Sequence, residues 1–400
     1  MRKKVIVLGA NFGGLTAALS VKHDLHGDVD VTVVSDRDYF LFNPSLIWLP
    51  FGKRNSSDVT FRVEPTFDKG DVDFELSAAK GIDPVSQTVT LENGKVLTYD
   101  YLVIATGTRN RGEAIEGFAE NSHTITTLES AIKTGEAWKR YLDSPGDIVI
   151  GASQGASCFG AAYEFLFNTS YQLKKAGLRG KVNLTYLTSE PFLGHFGIGG
   201  MPHGEAIVGK FFKNQGITFH VNKSISTIDD GAITTTDGDV LKNSFSMIVP
   251  PFSGQSFLKE LAGLADQNGF VKVKDSYQTE LWDNIYAVGL AAAVTAPWKT
   301  PTPIGVPKTG FPTEQMAHVA AKNIVHQIKG ELPSVTKAFA DIPAVCILDA
   351  GNNGVLILAE KMFPPRKHGM LIPGPQNHLF KLAFEKYFLW KMRNGKITLP

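Results

Sequence analysis

The chain has 400 residues, 43% of them hydrophobic and 20% charged, and a formal net charge of +1. Such apolar content excludes a disordered chain, the length suggests two or three domains, and near-neutrality argues against nucleic-acid binding by phosphate neutralisation. Two cysteines exclude a disulfide scaffold and a four-thiolate zinc site, and no metal site is expected. The 39 glycines suggest turns that hold phosphates. No charged-then-apolar leader precedes Val5 and no apolar run reaches 18 residues, so neither a signal peptide nor a transmembrane helix is expected.

Val5–Leu8 reads as a buried strand, followed by the turn Gly9-Ala10-Asn11-Phe12-Gly13-Gly14, a helix to about His23 and a strand over Val29–Ser35. This βαβ unit places a glycine turn where a pyrophosphate would meet a helix N-terminus. Asn11 occupies the middle glycine position, so its side chain must point away from the phosphates or touch them. The ribose-binding acid is either replaced by Ser35 or shifted to Asp36. Tyr101–Gly107 is a buried strand ending in Thr106-Gly107, the pattern that returns a two-dinucleotide-domain flavoprotein to its first domain. Asn284–Gly289 is the matching late strand, and Gly305–Gly310 precedes a helix to about Ile328.

Between these lies a second unit: strand Ile148–Ile150, turn Gly151-Ala152-Ser153-Gln154-Gly155-Ala156, a helix to about Phe167 and a strand over Val182–Leu187. Ser153 and Ala156 replace two of its three glycines, and no acid stands at the tip Leu187-Thr188-Ser189. Bulk at the second position blocks close approach to a pyrophosphate, so this unit reads as a dinucleotide fold without a nicotinamide.

Several longer passages carry a family resemblance: Gln154–Gly160, Thr188–His195, Val249–Phe252, Val306–Phe311 and Ala383–Lys391, with Leu290 after Gly289. Over essentially its whole length the chain resembles the sulfide:quinone oxidoreductases, flavoproteins of the disulfide-reductase-like group. The resemblance implies an α/β fold with two Rossmann-like dinucleotide-binding domains and a C-terminal amphipathic-helix membrane-attachment region. The expected boundaries are 1–112 with 268–330 for the FAD domain, 113–267 for the second domain and 331–400 for the C-terminal region.

FAD is the implied cofactor, with Gly9, Asn11, Phe12, Gly13, Gly14, Ser35, Asp36, Pro44, Ala79, Thr106, Gly107, Gly289, Lys308, Thr309 and Gly310 around it. Lys308 and the helix start at Thr309-Gly310 would stabilise negative charge on the flavin, and the stretch Phe40–Phe51 would line it. Hydrogen sulfide and a membrane quinone are the implied substrates. Hydrosulfide would open a sulfur bridge between Cys158 and Cys346, leaving a persulfide on Cys158, and Cys346 would pass the electron pair to the flavin. Thiolate is the reacting species, and a helix N-terminus at Cys158 is expected to lower its pKa. Family members commonly carry a third cysteine near position 126, where this chain has Thr126.

Family position makes Glu164 a proton-handling carboxylate, although six residues past Cys158 is nearly the opposite face of an ideal helix. His195, in a Gly-rich loop, could take a proton from hydrogen sulfide near neutral pH. Residues 361–400 hold eight Lys/Arg against Glu385 alone, net +7, which leaves −6 for the first 360. In the predicted helix 379–392, Phe380, Ala383, Phe384, Tyr387 and Trp390 share an arc, with Lys381, Glu385, Lys386 and Arg393 opposite. Such a helix suits a bilayer surface beside anionic lipid, a peripheral, monotopic location at the cell membrane. Phe384, Tyr387 and Phe388 are candidates to sandwich the quinone ring. A homo-oligomer is left open. Two alternatives stand beside this reading: a non-proton-pumping NADH:quinone dehydrogenase, and a membrane-docked flavin-bearing sulfide sensor or scaffold without turnover.

Overall fold

The structure is a computed structural model that describes residues 2–261 and 263–399. The apolar run in Lys3–Leu8 (β1) is buried from Val5 onward and pairs in parallel with Val29–Ser35 (β2) and Tyr101–Ile104 (β4). Asp73–Leu76 (β3) and Ile285–Ala287 (β9) complete a five-stranded sheet in the order β9-β4-β1-β2-β3. The apolar Phe12–Leu25 (α1) packs on this sheet and is itself packed against Gly310–Ile328 (α3), with Ser20 Oγ 3.2 Å from His318 Nδ1.

A second parallel sheet, β7-β6-β5-β8, is built from Ile148–Ala152 (β5), Leu184–Thr188 (β6), Thr218–His220 (β7) and Phe245–Val249 (β8). Phe159–Lys175 (α2) packs against β5 and β8. Both sheets match the α/β expectation. The C-terminal region adds an antiparallel sheet, Ala344–Asp349 (β10), Gly354–Ala359 (β11) and Gly369–Pro373 (β12), covered by Gln376–Arg393 (α4). No helix among the described residues is long and apolar enough to cross a membrane.

The α4 helix is amphipathic in an inverted sense. Phe380, Phe384, Tyr387 and Trp390 are exposed, while Lys381, Glu385 and Lys391 are 3%, 3% and 1% exposed. Phe388, read with the apolar residues, is buried. The reason is pairing: Lys381 meets Glu164, Arg54 meets Glu385 at 2.9 Å, and Lys391 meets Glu314 at 2.6 Å. A buried charge is tolerated only with such a partner. The tail's net charge of +7 is thus only partly at the surface, since Lys381 and Lys391 are neutralised inside.

A very close backbone approach lies at the first turn. Gly9 has φ +108°, and a Cβ on Gly14 would fall inside the Gly9 carbonyl group. Gly14→Ala would force α1 away from β1 and lower stability by about 1–3 kcal/mol, read as a fall in the thermal denaturation midpoint.

Candidate functional site

The first glycine turn gathers two helix N-termini at the carboxyl ends of β1, β4 and β9. Neither α1 nor α3 has a side-chain cap or an acid in its first turn. Their starts touch, because a Cβ on Gly310 would lie 2.5 Å from the Phe12 ring, and Gly13 faces Val288 and Thr313. Asn11 resolves its alternative by turning aside: its Oδ1 accepts from Leu41 N–H at 3.0 Å and its Nδ2 donates to Asn43 Oδ1 at 3.1 Å. Ser35 Oγ accepts from Arg37 N–H at 3.1 Å, whereas the Asp36 side chain is exposed. The Thr106 hydroxyl is buried without a protein partner beside Gly107. Free amides, missing side chains and an orphaned hydroxyl at one crevice fit a dinucleotide whose phosphates take the helix ends. Pro44 starts the short helix Asn43–Trp48, and Ala79 lies on the strand Ala79–Asp83.

Lys308 is buried and its Nζ donates to the Ala292 carbonyl at 2.6 Å. Burial pulls its pKa down to about 8, so its charge is held by a carbonyl and by the Phe270 ring, 4.8 Å away. Thr309 precedes α3 without capping it through its side chain, and Gly289 turns beneath Thr313.

The second glycine turn is closed by the chain itself. Gly155 N–H donates to Pro303 carbonyl at 2.7 Å, and Gly305 N–H donates to Ala156 carbonyl at 2.8 Å. The Gln154 amide bonds the backbone of Ile225 in both directions at 2.9 Å, and Ser153 Oγ donates to Val249 carbonyl at 3.2 Å. Glu190, just past the strand tip, points inward and accepts from Phe196 N–H at 2.6 Å. The groups that would greet a nicotinamide dinucleotide are thus spent on protein.

Cys158 is the residue before α2, with φ −133° and ψ 72°, and Cys346 lies on β10. The two elements pack together, Gly160 against Leu348. Cys346 is solvent-accessible. The expected lowering of the Cys158 pKa is reversed. Desolvation pushes its thiol up and outweighs the hydrogen bond to the Ala161 amide, and the negative charge of Glu164 adds to the rise. Desolvation, then Glu164, push Cys346 up to about 12, with Lys381 opposing.

Glu164 also departs from expectation. Because Cys158 is not helical, angular counting from it fails, and buried Glu164 lies near enough for its charge to raise both thiols. It accepts from Asp349 N–H at 2.7 Å and from Lys381 Nζ. Desolvation lifts its pKa to about 7 despite Lys381. Behind it, Asp349 accepts from Trp48 Nε1 at 2.9 Å and pairs with His378 Nδ1 at 2.5 Å.

His195 does not join this cluster. It lies in the glycine loop packed against Phe159, and its Nδ1 accepts from Gly197 N–H at 3.2 Å. Burial, with Arg366 nearby, pulls its pKa down to about 4. Its ring is therefore a much weaker base than an ordinary imidazole and holds a proton poorly at pH 7, which departs from the expected titration near neutrality.

An aromatic column joins α4 to the first turn. Phe388 lies 5.1 Å from Phe12 and 5.5 Å from both Phe42 and Phe384, and Phe42 lies 6.0 Å from Phe384. Tyr387 stands outside this column, 6.2 Å from Trp390. Thr126, at the position of the missing cysteine, accepts from Asn110 Nδ2 at 2.6 Å.

Lys381, Asp349, His378, Arg54 and Ser45 are site residues that the sequence does not single out. One signal points toward them: Glu164 is the lone charge in the apolar run Phe159–Phe167, and a charge so placed needs a partner from elsewhere.

Residues 3–321 match the family described as pyridine nucleotide-disulphide oxidoreductase. The chain is 39% identical over 404 residues to a sulfide-quinone reductase of Aquifex aeolicus, covering all of this chain and 93% of that one. The crystal structure of the sulfide:quinone oxidoreductase from that bacterium superposes with a TM-score of 0.94 at 38% identity, over 99% of this chain and 93% of the other. A type II NADH:quinone oxidoreductase of Staphylococcus epidermidis is 24% identical over 395 residues, 92% of this chain and 93% of that one.

With both thiols raised, iodoacetamide labelling of the reduced protein would lag behind that of a free cysteine at the same pH. Lys381→Met would slow it further, because the opposing cation is lost.

Proposed function

We infer that this chain, which belongs to the pyridine nucleotide-disulphide oxidoreductase family and within it to the sulfide:quinone oxidoreductases, oxidises sulfide and delivers the electrons to a quinone. The observation that carries this reading is the packing of the Cys158 end of α2 against β10, which carries Cys346, with buried Glu164 near enough for its charge to raise both thiols. FAD, when bound, accepts two electrons at once and passes them on to the quinone.

The chain's own residues divide the remaining work. Cys158 and Cys346 hold sulfur during its oxidation, and each must lose its proton to react. Glu164, titrating at about 7, serves as the base that takes these protons. Lys381 opposes the rise of both thiols, and the Asp349–His378 pair stands toward solvent behind it. The first glycine turn, Thr106 and the α3 start hold the cofactor. Phe384 and Phe388, with Tyr387 at the rim, receive the quinone ring.

The outward aromatics of α4 support attachment to the lipid surface from which such a quinone would come. Phe380 and Trp390 are 52% and 51% exposed on a helix that buries Lys381, Glu385 and Lys391, with Lys386 and Arg393 exposed beside the rings. A water-facing helix has the reverse arrangement. The first sheet and α3 form the cofactor unit, the second sheet a unit with its nucleotide turn closed, and residues 331–400 the attachment region.

Anaerobic sulfide would bleach the visible absorbance of the FAD-loaded protein, and NADH would not. Rapid bleaching by NADH alone would instead support the NADH dehydrogenase reading. Cys346→Ser would abolish sulfide-driven bleaching while leaving FAD content intact. With rates corrected for the fraction of sulfide present as hydrosulfide, the parent rate would rise with pH through about 7 as Glu164 loses its proton. Glu164→Gln would remove that limb and slow the reaction roughly 10²-fold, read by stopped-flow absorbance.

A further inference from the structure

Glu385 stands on α4 between Phe384 and Phe388, and both its oxygens are occupied inside the protein. Arg54 Nε donates to Oε1 at 2.9 Å and to Oε2 at 3.2 Å, and the Ser45 hydroxyl donates to Oε2. Arg54 is itself fixed, its guanidinium 4.9 Å over the Trp48 ring and its Nη1 donating to Lys53 carbonyl at 2.7 Å. All these partners belong to residues 43–54. That segment starts at Asn43, bonded to Asn11 of the first glycine turn, and carries Pro44 beside Ser45.

Arg54 Nε and the Ser45 hydroxyl both spend their protons on Glu385, and Arg54 Nη1 donates to the backbone. A well-packed apolar residue would fill the same space without the desolvation cost of an ion pair. What the charge adds is register. Rotating α4 by one residue, about 100°, would carry the carboxylate away from its donors on residues 43–54 and leave it buried without them.

We propose that Ser45, Glu385 and Arg54 are positioning residues for quinone. They pin the two rings flanking Glu385 against the segment that lines the flavin, and so set the seat of the quinone relative to the cofactor. The inference rests on the quinone reading above, and it concerns only the oxidative half of the cycle. Misplacing a substrate by about an ångström can cost 10²-fold, so a loosened pin has a kinetic signature.

The test uses the FAD-loaded protein and Glu385→Gln, Arg54→Lys and Ser45→Ala variants. Ser45→Ala removes a single hydrogen bond and so guards against misfolding in the other two. Flavin is reduced with dithionite, so that sulfide chemistry is bypassed, and its reoxidation by a short-chain ubiquinone analogue is followed. Quinone Kd is measured by quenching of tryptophan fluorescence, and FAD content, vesicle co-sedimentation and sulfide-driven reduction are recorded alongside. Glu385→Gln should slow reoxidation about tenfold and raise the quinone Kd by a similar factor. Ser45→Ala should do the same to a smaller extent. Sulfide-driven reduction should stay within about twofold of the parent. Equal slowing of both half-reactions, or an unchanged Kd in Glu385→Gln and Ser45→Ala, would overturn the proposal. A parent protein that quinone fails to reoxidise would sink the quinone reading and this inference together. A parent reoxidised normally beside unaffected variants would sink this inference alone.

Discussion

Three charges on the inner face of one helix organise this molecule. Lys381, Glu385 and Lys391 run along α4 with alternating sign, and each finds its opposite on a different element: Glu164 on α2, Arg54 in the 43–54 segment, and Glu314 on α3. A buried charge without its partner costs several kcal/mol, so these pairs leave the helix a single rotation and a single depth. The outer face follows from the inner one. With the charges turned in, Phe380, Phe384, Tyr387 and Trp390 must turn out.

The same pairs tie the proposed chemical functions together. Lys381 reaches the carboxylate beside the thiols, Glu385 separates the two rings of the aromatic column, and Lys391 lies 5.2 Å over Phe388. The helix facing lipid in this reading is therefore in direct contact with the sulfur side, the cofactor side and the quinone side at once. Desolvation sets the electrostatics of the sulfur side. It raises both thiols and Glu164 together, so the thiols stay protonated at rest beside a carboxylate that titrates near neutrality. The helix dipole at Cys158 is too small to reverse that, because its effect fades within the first turn whereas burial acts on the whole group.

Much of the cofactor crevice is legible in the residues themselves. Gly9, Gly13, Gly14, Thr106, Gly107 and Gly289 stand at strand ends and helix starts, and local sequence dictates such places through periodicity and missing side chains. The closed second turn is legible as well, since Ser153 and Ala156 carry atoms where glycine has none. Position in a helix is less legible. Counting Glu164 from Cys158 assumes that Cys158 is helical, and its φ and ψ are not. An ordinary histidine pKa would make His195 a base near neutrality, and burial removes that value.

Sequence alone determined the two dinucleotide folds, the two cysteines and the amphipathic character of the last helix, because each is written in residues near one another in the chain. Tertiary structure decided which face of that helix is inside, which acid meets the thiols and what closes the second turn. These depend on partners separated by many residues, such as Lys381 with Glu164 and Pro303 with Gly155. A pairing of that kind is a balance of desolvation against a contact, and only the folded chain brings its two halves together.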